Sequence, residues 1–278
     1  MDRCRLKNII IFILVLVNGF LLVSLAQRRA AQQDAFRRTA EQLVDLYAAD
    51  GMALDPHAIS RDTPPGGVVL TRDGALEEQA ASFLLGENLS STDQGGGIHH
   101  YTGAAGEAFF RSSSGFEASG VLAQSGAEDF CRDFCRTFSY DAPDIRLDGE
   151  GNGVFTAAAV HARLPVFNCT VTFTIEGGVL TAVSGTLLPK TGAPSGGGET
   201  PLSAAGALTA FQRMRRENAV VASSVTDTRL CYELQTSGTS MSLSPVWQIV
   251  TDTEDYYVNC HTGAVSAGGP VRSREGAS

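Results

Sequence analysis

Four short stretches carry residue types that could do chemistry, and each falls short of a complete site. His99 and His100 are adjacent; on a strand they point to opposite faces, which makes them a poor chelate for one ion. In "DGEGNG", Asp148 to Gly153, carboxylate or amide oxygens stand at positions one, three and five of a calcium-type loop, with glycine at six. Position twelve is Ala159, so the bidentate acid is missing, and a turn leading into a strand is the better reading. Asp252, Glu254 and Asp255 cluster in "TDTEDYY" and could be read as a proton-transfer pair, although a solvated loop tip is the simpler reading. The glycine runs at 95–97 and 196–198 lack the Lys and Ser or Thr of a phosphate loop, and neither HExxH nor GxSxG occurs. The six cysteines, at 4, 131, 135, 169, 231 and 260, make neither a CxxC pair nor a zinc spacing. Cys131 and Cys135 are helix neighbours that rarely reach disulfide geometry, so small buried hydrophobes are expected. No catalytic, metal or cofactor residue emerges, and the chain is expected not to be an enzyme.

The elements that must position any site begin with the N-terminus. After Arg3, Arg5 and Lys7 comes an apolar run from Ile9 to Ala26, followed by Arg28 and Arg29. Eighteen residues at about 1.5 Å each reach roughly 27 Å, close to the thickness of a hydrocarbon core. Ser24 and Ala26 would also satisfy a signal-peptide cleavage site. The helical periodicity of Phe36, Leu43, Leu46 and Tyr47 in the polar stretch that follows favours a retained anchor running on into a juxtamembrane helix. The expected order is residues 1–8 cytoplasmic, 9–26 in the membrane, 27–49 juxtamembrane and the remainder outside, although basic residues flank both ends of the span. Without Asp2 and the five basic residues before position 30, 16 basic side chains face 29 acidic ones. A body with that excess of acid will not bind nucleic acid through its phosphates. A hydrophobic share of 43% against 18% charged marks that body as folded.

Along the body, helices alternate with strand groups, giving an α+β class. "DGALEEQAASFLLG" puts Leu76, Ala80, Phe83 and Leu84 on one helical face, with Asp73 as N-cap and Gly86 as stop. Three strand-like runs complete a first region at 50–122. Ser125 and Glu128 have capping-box spacing ahead of a helix with Phe130, Cys131, Phe134, Cys135 and Phe138 on one stripe. Three strands follow it; in the middle one Phe167, Cys169, Val171, Phe173 and Ile175 alternate with Asn168 and threonines. A low-complexity loop, "PKTGAPSGGGE", precedes a third helix, expected to be capped by Thr200 with Pro201 in its first position. The last hairpin pairs Trp247 and Ile249 with Tyr256 and Val258 as one apolar face, and a turn at Thr262 and Gly263 ends it. Helix plus three strands thus occurs at 125–188 and again at 200–267, with a tail at 268–278.

"HARLPVFNCTVTFTIEGGVLTAVSGTL", then a helix, then "LSPVWQIVTDTEDYYVNCHTGAV", resembles the PepSY-like architecture. With the single N-terminal span, the whole chain is similar to the YycI and YycH family. Cys260 stands where that family more often has alanine. The resemblance implies tandem helix-plus-three-stranded antiparallel units on a membrane tether in a Gram-positive bacterium. It also implies a protein without catalysis or cofactor that tunes a WalK-type sensor histidine kinase, with a YycH-like companion as a further partner. An alternative with the same fold is a module that inhibits a peptidase or binds peptides. Within the span, Asn18 followed by Gly19 is the feature best suited to a partner helix: an amide in hydrocarbon seeks a hydrogen-bonding neighbour, and glycine allows close approach.

Overall fold

The computed structural model describes residues 2–196, 200–218, 221–237 and 240–268, with side chains in those ranges except at 2–11 and 29. The glycines at 197 and 198 and nearly all of the expected tail lie outside the described residues. The class is mixed α+β, with one long N-terminal helix and one large sheet. Helix α1 (Asp2–Ala49) is followed by β1 (Ala53–Leu54), β2 (Val68–Leu70), α2 (Gly74–Leu85) and β3 (Ser90–Asp93). Then come β4 (His99–Gly103), β5 (Gly106–Phe110), β6 (Gly115–Ala123), α3 (Ala127–Phe138), β7 (Gly153–His161), β8 (Leu164–Glu176) and β9 (Val179–Thr186). The chain closes with β10 (Gly192–Pro194), α4 (Ala204–Asn218), β11 (Ser224–Ser237), β12 (Ser240–Thr251), β13 (Asp255–Asn259) and β14 (Val265–Ala267).

Local chemistry accounts for these limits, and in three places it differs from the sequence reading. In α2 the Asp73 carboxylate accepts from the Leu76 amide at 3.1 Å, and Gly86, at φ 96°, ends the helix. Helix α3 does not use the Ser125 box: Gly126 occupies the N-cap in the left-handed region and no side chain caps it. Helix α4 starts at Ala204, not after Pro201, because Leu202 is tied elsewhere. Its amide donates to Cys260 O at 2.7 Å, its carbonyl accepts from Trp247 Nε1 at 2.8 Å, and Ser203 Oγ accepts from the Gly206 amide. The low-complexity loop is not structureless either, since its Gly192–Pro194 forms an antiparallel pair with β2.

The strands form one sheet in the order β10-β2-β12-β11-β8-β9-β6-β5-β4-β3, with β13 and β14 beyond β12, β7 on β8 and β1 on β11. Two meanders, β7-β8-β9 and β11-β12-β13, meet where β8 runs parallel to β11 at Val166 opposite Tyr232. The joint is completed by a side chain: Asn168 accepts from the Leu234 amide and donates to the Leu234 carbonyl, both at 2.8 Å, standing in for a strand backbone. The register of β8 shifts here, so Ala158 pairs with Thr170 but Ala159 with Val166. That bulge turns Phe167 off the face of Cys169, Val171, Phe173 and Ile175, where simple alternation placed it, and onto the opposite one.

One sheet face carries both large cores. The first packs α2 and α3 over the middle strands around Phe83, Phe134 and Phe138, whose rings lie within 6 Å of one another. The second packs the end of α1 and helix α4 over β11 to β13. Along β11, Leu230 belongs to the second core and Tyr232 and Leu234 to the first, and their even spacing keeps them on one face. The other face is open apart from a small cluster of Cys231, Val246 and Tyr257, with Phe167 stacked 3.7 Å from Tyr257.

Candidate functional site at the long N-terminal helix

From Phe12 to Leu25 the large apolar side chains of α1 are all at least half-exposed or nearly so, Phe20 at 70% and Leu22 at 68%, and none packs on the body. This is the surface of a helix long and apolar enough to cross a membrane. Asn18 is exposed, and a Cβ added at Gly19 would meet nothing within 4 Å, so both residues face space that the chain itself does not fill.

The same helix continues without a break into the body. Ala40, Leu43 and Tyr47 are buried in the second core, and Tyr47 Oη donates to Leu208 O of α4 at 2.8 Å. Burial of that phenol pushes its ionisation well upward, so it remains a donor. One turn on, the Asp50 carboxylate accepts from Arg216 Nε at 2.6 Å and from Gln212 Nε2, and the Arg216 bond holds the carboxyl below its usual range. Gln212 Oε1 and Arg215 Nε are buried beside this latch without a partner. Below the latch lies a cavity of about 450 Å³ between Gln32, Gln33, Phe36 and Thr39 of α1, the 60–62 loop, and Ser203 at the start of α4. The Arg61 guanidinium covers the Phe36 ring at 4.5 Å. The loop that carries it is fixed, because Thr228 Oγ1 donates to Ala58 O and accepts from the Ser60 amide.

Comparison with known proteins leaves the family open. No protein-family model matches the chain, and no curated protein matches it. A solved structure of an uncharacterized protein from Eubacterium rectale ATCC 33656 is similar over 77% of this chain and 89% of its own, at 10% identity and a TM-score of 0.42.

The hairpin residues lie in the second core, where the Trp247 indole reaches Leu202, next to the Ser203 that lines the cavity. Trp247 pairs with Val258 and Ile249 with Tyr256, and all four are at most 1% exposed in the second core. The acidic turn beside them is exposed from Asp252 to Glu254, and its acids are also bonded to the chain. Asp252 accepts from the Ser223 and Ser224 amides at 2.9 and 3.1 Å and from the Ser223 hydroxyl; Glu254 accepts from Tyr256 Oη at 2.6 Å; Asp255 accepts from Gln248 Nε2 at 2.8 Å. Each acid is occupied in holding the chain. These bonds, the Ser223 hydroxyl first, lower the Asp252 carboxyl to about 2. Its folded pKa lies below the ordinary 3.8, so its contribution is complete above that value and is lost as pH falls toward 2. Asp252→Asn is therefore expected to melt lower than wild type at neutral pH and to lose less on acidification from pH 5 to pH 2, as followed by circular dichroism.

His100 Nε2 pairs with Glu107 at 3.0 Å and its ring lies flat on Phe109. Asp148 accepts from the amides of Glu150 and Asn152, and the Asn152 side chain reaches the Gly177 amide, so the "DGEGNG" turn is spent on itself. Burial pushes the Cys131, Cys135, Cys169 and Cys260 thiols up to about 12, which makes them poor nucleophiles. On the open sheet face a groove of about 400 Å³ runs between Glu233, Ser244, Tyr257 and Ser266. The structure leaves Asn18 and Gly19 exposed and packs Tyr47 in the second core, the phase its helical periodicity implied. Sequence reasoning missed Asp50 with Arg216, and Arg61 with Phe36, which no local spacing announces.

Proposed function

We propose that the chain is a membrane-anchored regulatory protein with its body outside the cytoplasm, and that it modulates a WalK-type sensor histidine kinase by contact, alone or with a YycH-like companion. The observation that carries this reading is the unbroken α1, whose outward Asn18 and Gly19 share one rigid element with the Tyr47 and Asp50 latch. A change in how the span packs therefore moves the body, and a load on the body moves the span. The two successions of a helix and a three-stranded meander, α3 with β7–β9 and α4 with β11–β13, support PepSY-like units within this reading. The groove on the open face is what favours the alternative, a peptide-binding or peptidase-inhibiting module.

The test is Asn18→Leu in the intact protein. Leucine raises the hydrophobicity of the span, so insertion is unharmed, while an interhelical hydrogen bond of about 1 kcal/mol is lost, roughly a fivefold weakening of association. Kinase output and crosslinking to the kinase are expected to fall at unchanged protein level. Unchanged output, or full complementation by a body exported without its span, would remove the function from the membrane and favour the groove.

A further inference from the structure

The cavity beside the stalk stands on the same side of α1 as Asn18. At about 100° per residue, the eighteen residues from Asn18 to Phe36 make about five whole turns, so the two share one azimuth. Gln32 and Gln33 lie about 40° and 60° to either side of it, and Ala40, Leu43 and Tyr47, which grip the body, within about 40°. The body therefore overhangs the Asn18 side of the span, with the cavity's Phe36 about 27 Å above Asn18 and about 15 Å above Ala26. Whatever packs along Asn18 and Gly19 and continues upward runs into this cavity.

We propose that the cavity is a socket for the outer end of a second transmembrane helix, from a different protein, that packs against Asn18 and Gly19 and runs parallel to α1. This deepens the contact reading given above and rests on it. A second copy of this chain does not fit. Its own α1 would continue unbroken to Ala49, about 35 Å past Ala26. In a two-fold pair facing through Asn18, each such stalk would occupy the space already taken by the other's 60–62 loop and α4. The occupant must instead stop or turn between the levels of Gln32 and Thr39, about 9 to 20 Å past Ala26. Charge gives it a direction. Arg61 lies on the Phe36 ring with no carboxylate partner among the described residues, while the neighbouring Asp62 carboxylate accepts from Ser60 Oγ at 2.9 Å. A helix that leaves the cytoplasm ends here at its carbonyl terminus, whose partial negative charge, with any acidic residue beside it, suits Arg61.

Photo-crosslinking amino acids placed singly at Leu22 and Gln33 of the full chain, in its own membranes, test this. Phe20 and Asp34, about 160° to 200° away from the Asn18 azimuth, are the controls. Leu22 and Gln33 are expected to capture one and the same membrane protein, at sites about eleven residues apart on one of its transmembrane helices, and the controls to capture none of it. Arg61→Glu, at an exposed position, should lower the Gln33 adduct about fivefold and leave the Leu22 adduct intact. Capture at Leu22 without Gln33 overturns the socket while leaving regulation by contact standing. A Gln33 adduct with a second copy, or with a segment outside any membrane helix, also overturns it. Absence of adducts at both positions removes the socket and the contact reading together.

Discussion

Replacing Trp247 with alanine is expected to destabilise the body by about 3 to 5 kcal/mol and to lower its melting temperature by roughly 6 to 20 °C. The indole is wholly buried in the second core, opposite Val258 and in a cluster with Leu208, Phe211 and Tyr256. Its Nε1 also donates to Leu202 O, the bond that fixes where α4 begins, so truncation leaves a cavity and frees the start of the helix that holds α1. Trp247→Phe keeps much of the apolar contact and is expected to cost much less, which separates packing from a general intolerance of change. Thermal unfolding of the full chain in detergent, followed by far-ultraviolet circular dichroism, measures both. Trp247 is the single tryptophan of the sequence, so wild-type fluorescence should also report a buried indole that shifts to the red on melting. A Trp247→Ala protein melting within a degree or two of wild type would mean that this hairpin face is not the core the structure makes it.

Legibility followed the range of the forces involved. Helix α2 could be read from end to end because Asp73 and Gly86 act within one turn of their own position. The last hairpin could be read because its apolar face has period two and its turns are short. What failed needed a distant partner. Thr200 and Pro201 carry every local mark of a helix start, yet Leu202 is held by Cys260 and Trp247, more than 40 residues away, and α4 opens later. Phe167 obeys alternation in the sequence, but one bulge next to Asn168 reverses it, and the Asn168 amide is drawn to Leu234, 66 residues on. Strands β2 and β10 are three residues each, inside glycine- and proline-rich stretches, and exist because each finds the other across the fold.

The candidate site divides in the same way. Asn18 stands out in the sequence because a lone amide in an apolar helix has a cost wherever it points. The latch does not, because Asp50 lies more than 160 residues from Gln212 and Arg216 and all three are ordinary surface types taken singly. The acidic turn is exposed at Asp252 and Glu254, as a loop tip is; what the sequence does not announce is that Ser223 and Ser224, 29 and 28 residues before it, occupy Asp252.

Tyr47→Ala is expected to cost about 3 to 5 kcal/mol as well, and its effect should be confined in a way that Trp247→Ala is not. Tyr47 is the largest fully buried side chain that α1 contributes, and all of its packing is in the second core; the first core, around α2 and α3, contains no residue of α1. Losing it should release residues 40–49 from α4, so their amides exchange with solvent faster, while those of β5 to β9 keep their protection. Tyr47→Phe removes only the hydrogen bond to Leu208 O and should cost about 1 kcal/mol. Asp50→Asn acts on an ion pair open to water and should cost less still. Hydrogen exchange read residue by residue distinguishes these outcomes, and equal protection of residues 40–49 in wild type and Tyr47→Ala would show that the stalk is not docked. If regulation requires the span and body to move as one piece, then kinase output should follow the protection of residues 40–49 across this series and not the melting temperature, because a protein that stays folded in its first core but has lost its grip on α1 can still insert, still fold most of its sheet, and yet no longer transmit force between them.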